Sequence, residues 1–156
     1  MKNVSRKLKI SIILMLLFIL PVYLYIIPVW GKQASMDEGL MYAYIPWLIY
    51  LSLTAIPVFL ALWEAYKISK HIGNEEIFIK ENTSSLRKIA NLALIDTVYF
   101  FIGIWVMAYF VITNPPIVLM QLVICFFGII IWIIFSSLAS LTGEADKIRE
   151  ENEYTI

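Results

Sequence analysis

Residues Ile117 to Leu138 read IVLMQLVICFFGIIIWIIFSSL and contain no charged side chain. A helix needs about 20 consecutive apolar residues to cross the roughly 30 Å hydrocarbon core of a bilayer. Only helices and closed barrels satisfy all backbone hydrogen bonds within lipid, and this stretch has the length of a helical crossing. The sequence therefore predicts a transmembrane helix here.

Three further runs have the same character, namely residues 10–30, 44–66 and 89–112. Charged residues make up 15% of the 156-residue chain, whereas a soluble domain carries about a quarter. The mean hydropathy is +0.81. The chain is therefore predicted to be all-α, an integral membrane bundle of four transmembrane helices that forms a single domain over residues 1–156.

Basic residues predict the orientation of this bundle. Lysine and arginine number four before the first span, one in the segment 31–43 and five in the hairpin 67–88. Because these residues concentrate on the cytoplasmic side, we expect an N-in/C-in protein, with both termini in the cytoplasm. The first span is longer than the core of a signal peptide and lacks a small-x-small cleavage site, so we expect it to be retained.

The second and third spans are predicted to extend beyond the bilayer into the hairpin 67–88. Gly73 is the expected C-cap of one helix, and Asn82, Thr83 or Ser84 the expected N-cap of the next. A helix from about residue 83 to residue 112 would be roughly 45 Å long, which exceeds the membrane core.

The tail, residues 139–156, is predicted to continue the fourth helix. Leu138, Leu141, Ala145 and Ile148 share one helical face, which we call the tail stripe. The tail is rich in acidic residues and the hairpin in basic ones. Two arrangements remain open at this point: the tail docks on the hairpin, or each is solvated independently.

Asp96 is the one charged residue deep within a predicted span. An ionised carboxylate at that depth costs at least a few kcal/mol, so it should face the bundle, paired or protonated. Ala93, Thr97, Phe100 and Gly103 would share its helix face and form an interhelical seam. Small pairs at Ala61/Ala65 and Ser136/Ser140 would form matching seams, and Ser136, Ser137, Ser140 or Lys9 would be its partner.

Two hypotheses explain Asp96. In the first, it binds a proton, a cation or a cationic ligand, with Glu64 as a second carboxylate. In the second, it is a hydrogen-bonded residue that fixes the register of the helices, which is the commoner role of a lone carboxylate. Glu64 lies near the interface and is expected to be solvated, whereas Gln121 is expected to hydrogen-bond between helices.

Other classes of function find little support in the sequence. The formal net charge is zero, which gives no electrostatic reason to expect nucleic acid as a partner. One cysteine, Cys125, and one histidine, His71, are too few for a zinc site of known spacing. We find no glycine-rich phosphate loop and no nucleophile with a base, and therefore expect a non-enzyme with no cofactor and no metal.

Two segments resemble a known family. The spacing of Phe78, Asn82, Leu86 and Ile89 resembles an F-x-x-x-N-x-x-x-L-x-x-I segment of the bacterial membrane family called domain of unknown function 2975. The ending IREENEYTI, residues 148–156, resembles the family's acidic close, nearer to E-E-N-D-L-T-I. Here Glu153 stands for the aspartate and Tyr154 for the leucine. Length and four-span layout are also similar.

The resemblance implies a small inner-membrane protein of unassigned function. Genes of this family often lie beside one for a small helix-turn-helix repressor, which implies a regulatory role. It gives no catalytic residues. It marks candidates for docking a partner: Phe78, Asn82, Glu150, Glu151, Asn152, Thr155 and Ile156. For Asn82, helix capping is the competing interpretation.

The leading functional hypothesis is a non-enzymatic regulatory, sensory or protective module that binds a membrane or cytoplasmic protein. The alternative is a small transporter or proton-coupled exporter that uses Asp96 within a homo-oligomer. The lipid bilayer is the expected environment in both cases.

Overall fold

The computed structural model describes residues 2–110, 113 and 115–153, without the side chains of Glu150 and Glu153. All regular elements in this part of the chain are helical: α1 (Lys2–Pro21), a π-helical turn (Val22–Ile26), α2 (Ile27–Asp37), α3 (Met41–Leu53), α4 (Ala55–Gly73), α5 (Lys80–Tyr109) and α6 (Pro115–Glu153). They form four helices long and apolar enough to cross a membrane: Lys2–Asp37, Met41–Gly73, Lys80–Tyr109 and Pro115–Arg149. The predicted fold class is confirmed.

The helices are longer than the predicted spans. The segment 31–43 is not a loop, because α2 continues to Asp37 and the chain turns over residues 38–40. Neither proline nor glycine interrupts residues 32–38, and the turn forms at Gly39, whose φ of 69° favours glycine. Residues 111 and 112, at the end of the third predicted span, lie outside the described residues.

Prolines divide the first two crossings into segments. The π-helical turn follows Pro21, and Thr54 separates α3 from α4 three residues before Pro57. Proline has no N–H to donate to the carbonyl four residues earlier, so the helical ladder is interrupted at both places. The two irregular points are in contact, because the Tyr23 hydroxyl lies 2.7 Å from Oγ1 of Thr54.

The third crossing, α5, occupies the centre of the bundle. Helix α1 packs on α4, α4 on α5 and α5 on α6, while α2 packs on α3. A third of the apolar part of α5 is buried (33%), against 6–11% in the other crossings. The exposed surface of the crossings is largely apolar, as expected for helices surrounded by lipid.

Gly103 makes room on α5 for one side chain of α3, the ring of Tyr50. A methyl group at Gly103 would overlap the Tyr50 ring, so only glycine lets that ring lie against the backbone of α5. The predicted seam on α5 is buried at Thr97, Phe100 and Gly103.

The predicted seam on α6 is wrong. Ser136 and Ser140 are exposed, and α6 instead buries Gln121, Cys125 and Ala139. These buried residues recur at helical spacing and set the packed face, from which Ser136 and Ser140 are rotated away.

The ends of the helices also differ from the prediction. Helix α5 begins at Lys80 after the extended Ile79, with no side-chain cap, so the capping role predicted for Asn82, Thr83 or Ser84 is wrong. Helix α4 ends at Gly73 itself and Asn74 occupies the cap position. Helix α6 runs through Gly143 to Glu153, which confirms the predicted extension; its 39 residues span about 58 Å.

The extension of α6 packs against the beginning of α5. A Cβ atom at Gly143 would lie 3.3 Å from Cγ2 of Thr83, within tight van der Waals contact. Of the two arrangements left open by the sequence, the structure shows the docked one. The tail stripe does not make this contact, since Leu138, Leu141 and Ile148 are 43%, 62% and 60% exposed. We call this end of the bundle, with Lys2, the hairpin and the tail, the charged end.

Candidate functional site

Asp96 borders a cavity of about 470 Å³ that is lined by residues of α1, α4, α5 and α6. Its Oδ1 atom is buried and has no hydrogen-bond partner among the described residues. The neighbouring hydroxyl of Thr97 donates to the carbonyl of Ala93 at 2.7 Å. The cavity is therefore an apolar space with one carboxylate on its wall.

The predicted partners of Asp96 are elsewhere. Ser136, Ser137 and Ser140 are exposed on α6, and neither they nor Lys9 line the cavity. The geometry therefore does not support the hypothesis of a hydrogen-bonded residue that fixes helix register.

Gln121 occupies a polar cluster between the second, third and fourth crossings. It is 1% exposed, and its Nε2 donates to the Tyr50 hydroxyl at 3.4 Å. That hydroxyl donates to the carbonyl of Phe100 at 3.0 Å, and the Tyr99 hydroxyl donates to the carbonyl of Tyr50 at 3.0 Å. Gln121 therefore makes an interhelical hydrogen bond of the kind predicted for it.

Glu64 joins α4 to α5 and is 8% exposed, so the prediction of a solvated carboxylate is wrong. Its Oε2 accepts a hydrogen bond from Ser85 at 2.7 Å. Its Oε1 lies 2.8 Å from Nζ of Lys67 and 3.7 Å from Nζ of Lys88. Burial is tolerated because the carboxylate is paired and hydrogen-bonded.

Asn82 fastens the hairpin from within. It is 2% exposed, and its Nδ2 donates to the carbonyls of Glu76 at 2.9 Å and Ile77 at 2.8 Å. Its Oδ1 lies 2.8 Å from Nδ1 of His71. Since the amide oxygen can only accept, Nδ1 of His71 carries the proton in this contact. His71 is therefore a structural residue in the last turn of α4.

A second cavity, of about 380 Å³, lies at the charged end between α4 and α5 and is lined by polar and charged residues. Its wall includes Glu64, Lys67, His71 and Lys88. Glu64 is paired with both lysines, and His71 with Asn82, so these groups already serve the contact between the helices. Within the described residues, no group of three or more His, Cys, Asp or Glu is placed to hold a metal ion.

The candidates for docking a partner separate into three groups. Phe78 is 48% exposed in the hairpin, and Glu151 and Asn152 are exposed on α6. Asn82 is buried, so its prediction as a surface docking residue is wrong. The side chain of Glu150, together with Thr155 and Ile156, lies outside the described residues.

Sequence reasoning missed the contact that holds α1 in place. The Ser5 hydroxyl donates to the carbonyl of Ser69 at 2.6 Å, and the Ser69 hydroxyl donates to the carbonyl of Ser5 at 3.1 Å. The signal was present, because Ser69 and Gly73 are small residues four positions apart, a spacing typical of close helix packing in membranes. No comparable pattern marks Tyr50, whose role depends on Gly103 of another helix.

These helices and contacts define a polytopic α-helical membrane protein in which buried polar groups join neighbouring crossings. The chain belongs to the family described as "Protein of unknown function (DUF2975)", which matches residues 28–156. This confirms the resemblance seen in the hairpin and tail. The chain is also similar to "Uncharacterized membrane protein YoaS" of Bacillus subtilis (strain 168), with 31% identity over 156 residues, 96% of this chain and 95% of that protein. No solved structure matches the chain.

Proposed function

We propose that this membrane protein is a non-enzymatic regulatory, sensory or protective module that binds a partner protein at its charged end. The observation that carries the proposal is the extension of α6 beyond the predicted span. The part of this helix from Leu138 to Glu153 is about 22 Å long. Within it, the side chains of Leu141 and Ile148 are 62% and 60% exposed. Exposed apolar side chains grouped on one face are typical of interaction surfaces.

The surface is held in place by the rest of the protein. The face that carries Gly143 packs on Thr83 of α5, so the tail stripe on the other side is presented by a supported helix. A supported surface loses less conformational entropy on binding than a free peptide does. The acidic residues Glu144, Asp146 and Glu151 favour a partner whose surface combines basic and apolar groups.

A cytoplasmic location of this end is part of the proposal. The alternating basic flanks support it, with the hairpin and both termini inside and the bundle in the cytoplasmic membrane. The non-enzymatic character is supported by the contacts of the charged end. Glu64, His71 and Asn82 are each engaged in bonds that join helices, which leaves them poorly placed for chemistry.

Affinity capture from native membranes after gentle crosslinking tests the proposal. The test variant is Leu141→Ser/Ile148→Ser, and the matched control is Glu144→Ser/Lys147→Ser, which also alters two tail residues and leaves the net charge unchanged. A deletion of Glu150–Ile156 tests the ending separately. We expect a specific partner to be lost with the first variant and kept with the control.

Retention of that partner by the Leu141→Ser/Ile148→Ser variant would exclude the tail stripe as its docking surface. Recovery of nothing but further copies of this chain would indicate a homo-oligomer and count against a heterologous partner.

A second candidate function is favoured by one observation: a buried oxygen of Asp96 has no partner among the described residues and lies beside a cavity that all four crossings line. In a small transporter or proton-coupled exporter, Asp96 would be the coupling carboxylate, and an oligomer would supply the pathway. Asp96→Asn should then abolish transport measured in reconstituted vesicles while leaving the partner capture unchanged.

A further inference from the structure

The cavity beside Asp96 has the size of a ligand site. Its volume of about 470 Å³ lies within the range of about 300–1,000 Å³ found for small-molecule pockets. Small residues on α4, Ala61 and Ala65, contribute to the space, and three aromatic rings, Phe100, Phe127 and Phe135, form part of the wall. We call it the Asp96 cavity.

Charge decides which ligands this cavity accepts. Asp96 is the one ionisable side chain among the described residues that line it, and Oδ1 has no hydrogen-bond partner there. A carboxylate removed from water without a partner is costly, and a cation placed against it offsets that cost. The aromatic rings also attract a cation through their faces.

The number of donors excludes an inorganic divalent ion. Calcium takes six to eight oxygen ligands and magnesium six, whereas the Asp96 cavity offers one carboxylate and otherwise apolar walls. The ligand that fits is therefore an organic monocation with an apolar body that covers the remaining wall.

The packing of the helices leaves a route from the lipid. The first crossing packs on the second, the second on the third and the third on the fourth, without extended packing of α1 on α6. The cavity is bordered by Met15 and Ile19 of α1 and by Ile131 of α6. Its two outer walls therefore belong to helices that do not pack extensively against each other. A ligand that partitions into the bilayer can reach Asp96 from the side.

We propose that the Asp96 cavity binds an amphiphilic organic monocation, with an ammonium or phosphonium group against Asp96 and an apolar body between α1, α4 and α6. This site is separate from the tail stripe and goes beyond the proposed binding of a partner protein. The proposal concerns binding at this site and does not depend on whether the ligand is carried across the membrane.

The experiment measures equilibrium binding of radiolabelled tetraphenylphosphonium to the full chain in phosphatidylcholine nanodiscs, with empty nanodiscs subtracted. Decyltrimethylammonium serves as a linear cationic competitor, and tetraphenylborate as an anion of the same shape. Asp96→Asn removes the charge, and Ala61→Leu fills the cavity while leaving Asp96 in place. Asp37→Asn and Ala108→Leu are matched controls, since both positions are exposed on the surface of the bundle.

We expect saturable binding by the unmodified chain and both controls, and affinity lowered about tenfold or more by Asp96→Asn and by Ala61→Leu. Tetraphenylborate should show no saturable binding. Unchanged affinity in Asp96→Asn, equal binding of the anion, or no saturable binding of either cation would overturn the proposal. If Asp96→Asn does not fold, as judged by helicity and elution volume, Ala61→Leu carries the test. Failure to capture a partner protein at the tail does not affect any of these outcomes.

Discussion

Asn82 on α5 accepts a hydrogen bond from His71 on α4 across 2.8 Å, and both hydrogens of its amide group bind the hairpin backbone. One buried side chain thus fastens the end of one crossing, the turn and the start of the next. Asn82 therefore has a structural role in the segment that resembles the family, and this role requires no ligand.

Replacement of Asn82 should loosen the hairpin. Asn82→Ala leaves the carbonyls of Glu76 and Ile77 without their donor, and we expect a loss of about 2 kcal/mol in the free energy of unfolding. Denaturant unfolding in detergent measures this, and hydrogen exchange should rise over residues 74–79. Asn91→Ala, at an exposed position of the same helix, is the control and should change little. Equal losses in the two variants would contradict the role assigned to Asn82.

Neutralising Glu64 should weaken the contact of α4 with α5. Glu64→Gln keeps the shape and the bond to Ser85 but removes the attraction of Lys67 and Lys88. Because both lysines are partly exposed, we expect a modest loss of about 1–2 kcal/mol in the free energy of unfolding. In a double-mutant cycle, Glu64→Gln should cost less in the Lys67→Met background, where one of the two ion pairs is already absent. Glu144→Gln, an exposed carboxylate in the tail, is the control. Additive effects of Glu64→Gln and Lys67→Met would show that the pair is not coupled.

A methyl group at position 103 should disrupt the packing of Tyr50. Alanine normally stabilises a helix relative to glycine, yet here it would overlap the ring and displace its hydrogen bond to Phe100. We expect Gly103→Ala to lower stability by about 1–3 kcal/mol in thermal or denaturant unfolding. Gly31→Ala, where the nearest atom of Tyr44 would be 3.9 Å away, should be neutral or slightly stabilising. If Gly103→Ala were as stable as the unmodified chain, the Tyr50 ring would have room to move away from the new methyl group.

Removing the carboxylate of Asp96 should not destabilise the protein. Its buried Oδ1 has no partner in the described part of the chain, so Asp96→Leu removes a desolvation cost and should raise stability by about 1–3 kcal/mol. Unfolding of the detergent-solubilised chain is the measurement, with Asp37→Leu as a control at an exposed site. A loss of more than about 1 kcal/mol would restore the hypothesis that Asp96 fixes the register of the helices.

The proposed orientation can be checked with single cysteines in a Cys125→Ala background. Asp37→Cys lies at the end of α2, beside the turn to α3, and Asn74→Cys lies in the hairpin at the charged end. A membrane-impermeant maleimide applied to intact cells should label the first and reach the second only after permeabilisation. The reverse pattern would place both termini outside.

The sequence predicted the crossings well because a charge-free run such as Ile117–Leu138 has few other stable structures. The helix ends were harder to predict, since no side-chain cap marks the end of α2 at Asp37 or the start of α5 at Lys80. Periodicity placed Thr97, Phe100 and Gly103 on the buried face of α5 but gave the wrong face of α6, where nearly every residue is apolar.

The candidate site was predictable in its residues but not in its contacts. Asp96, Glu64 and Gln121 are conspicuous polar residues in apolar runs, and all three prove to be at least partly buried. The contacts that join helices are made with residues far away in the sequence, Ser85 for Glu64 and Tyr50 for Gln121, while Oδ1 of Asp96 has no partner among the described residues. Such pairings depend on helix rotation and depth, which one sequence does not specify.

Helix α6 runs unbroken from Pro115 to Glu153, so its membrane-spanning part and its extension beyond the predicted span form one continuous helix. Each residue of an α-helix advances the azimuth by about 100°, so the direction in which Leu141 and Ile148 point is locked to the direction of Gln121 and Cys125. A turn of α6 about its own axis inside the bundle would swing the tail stripe by the same angle.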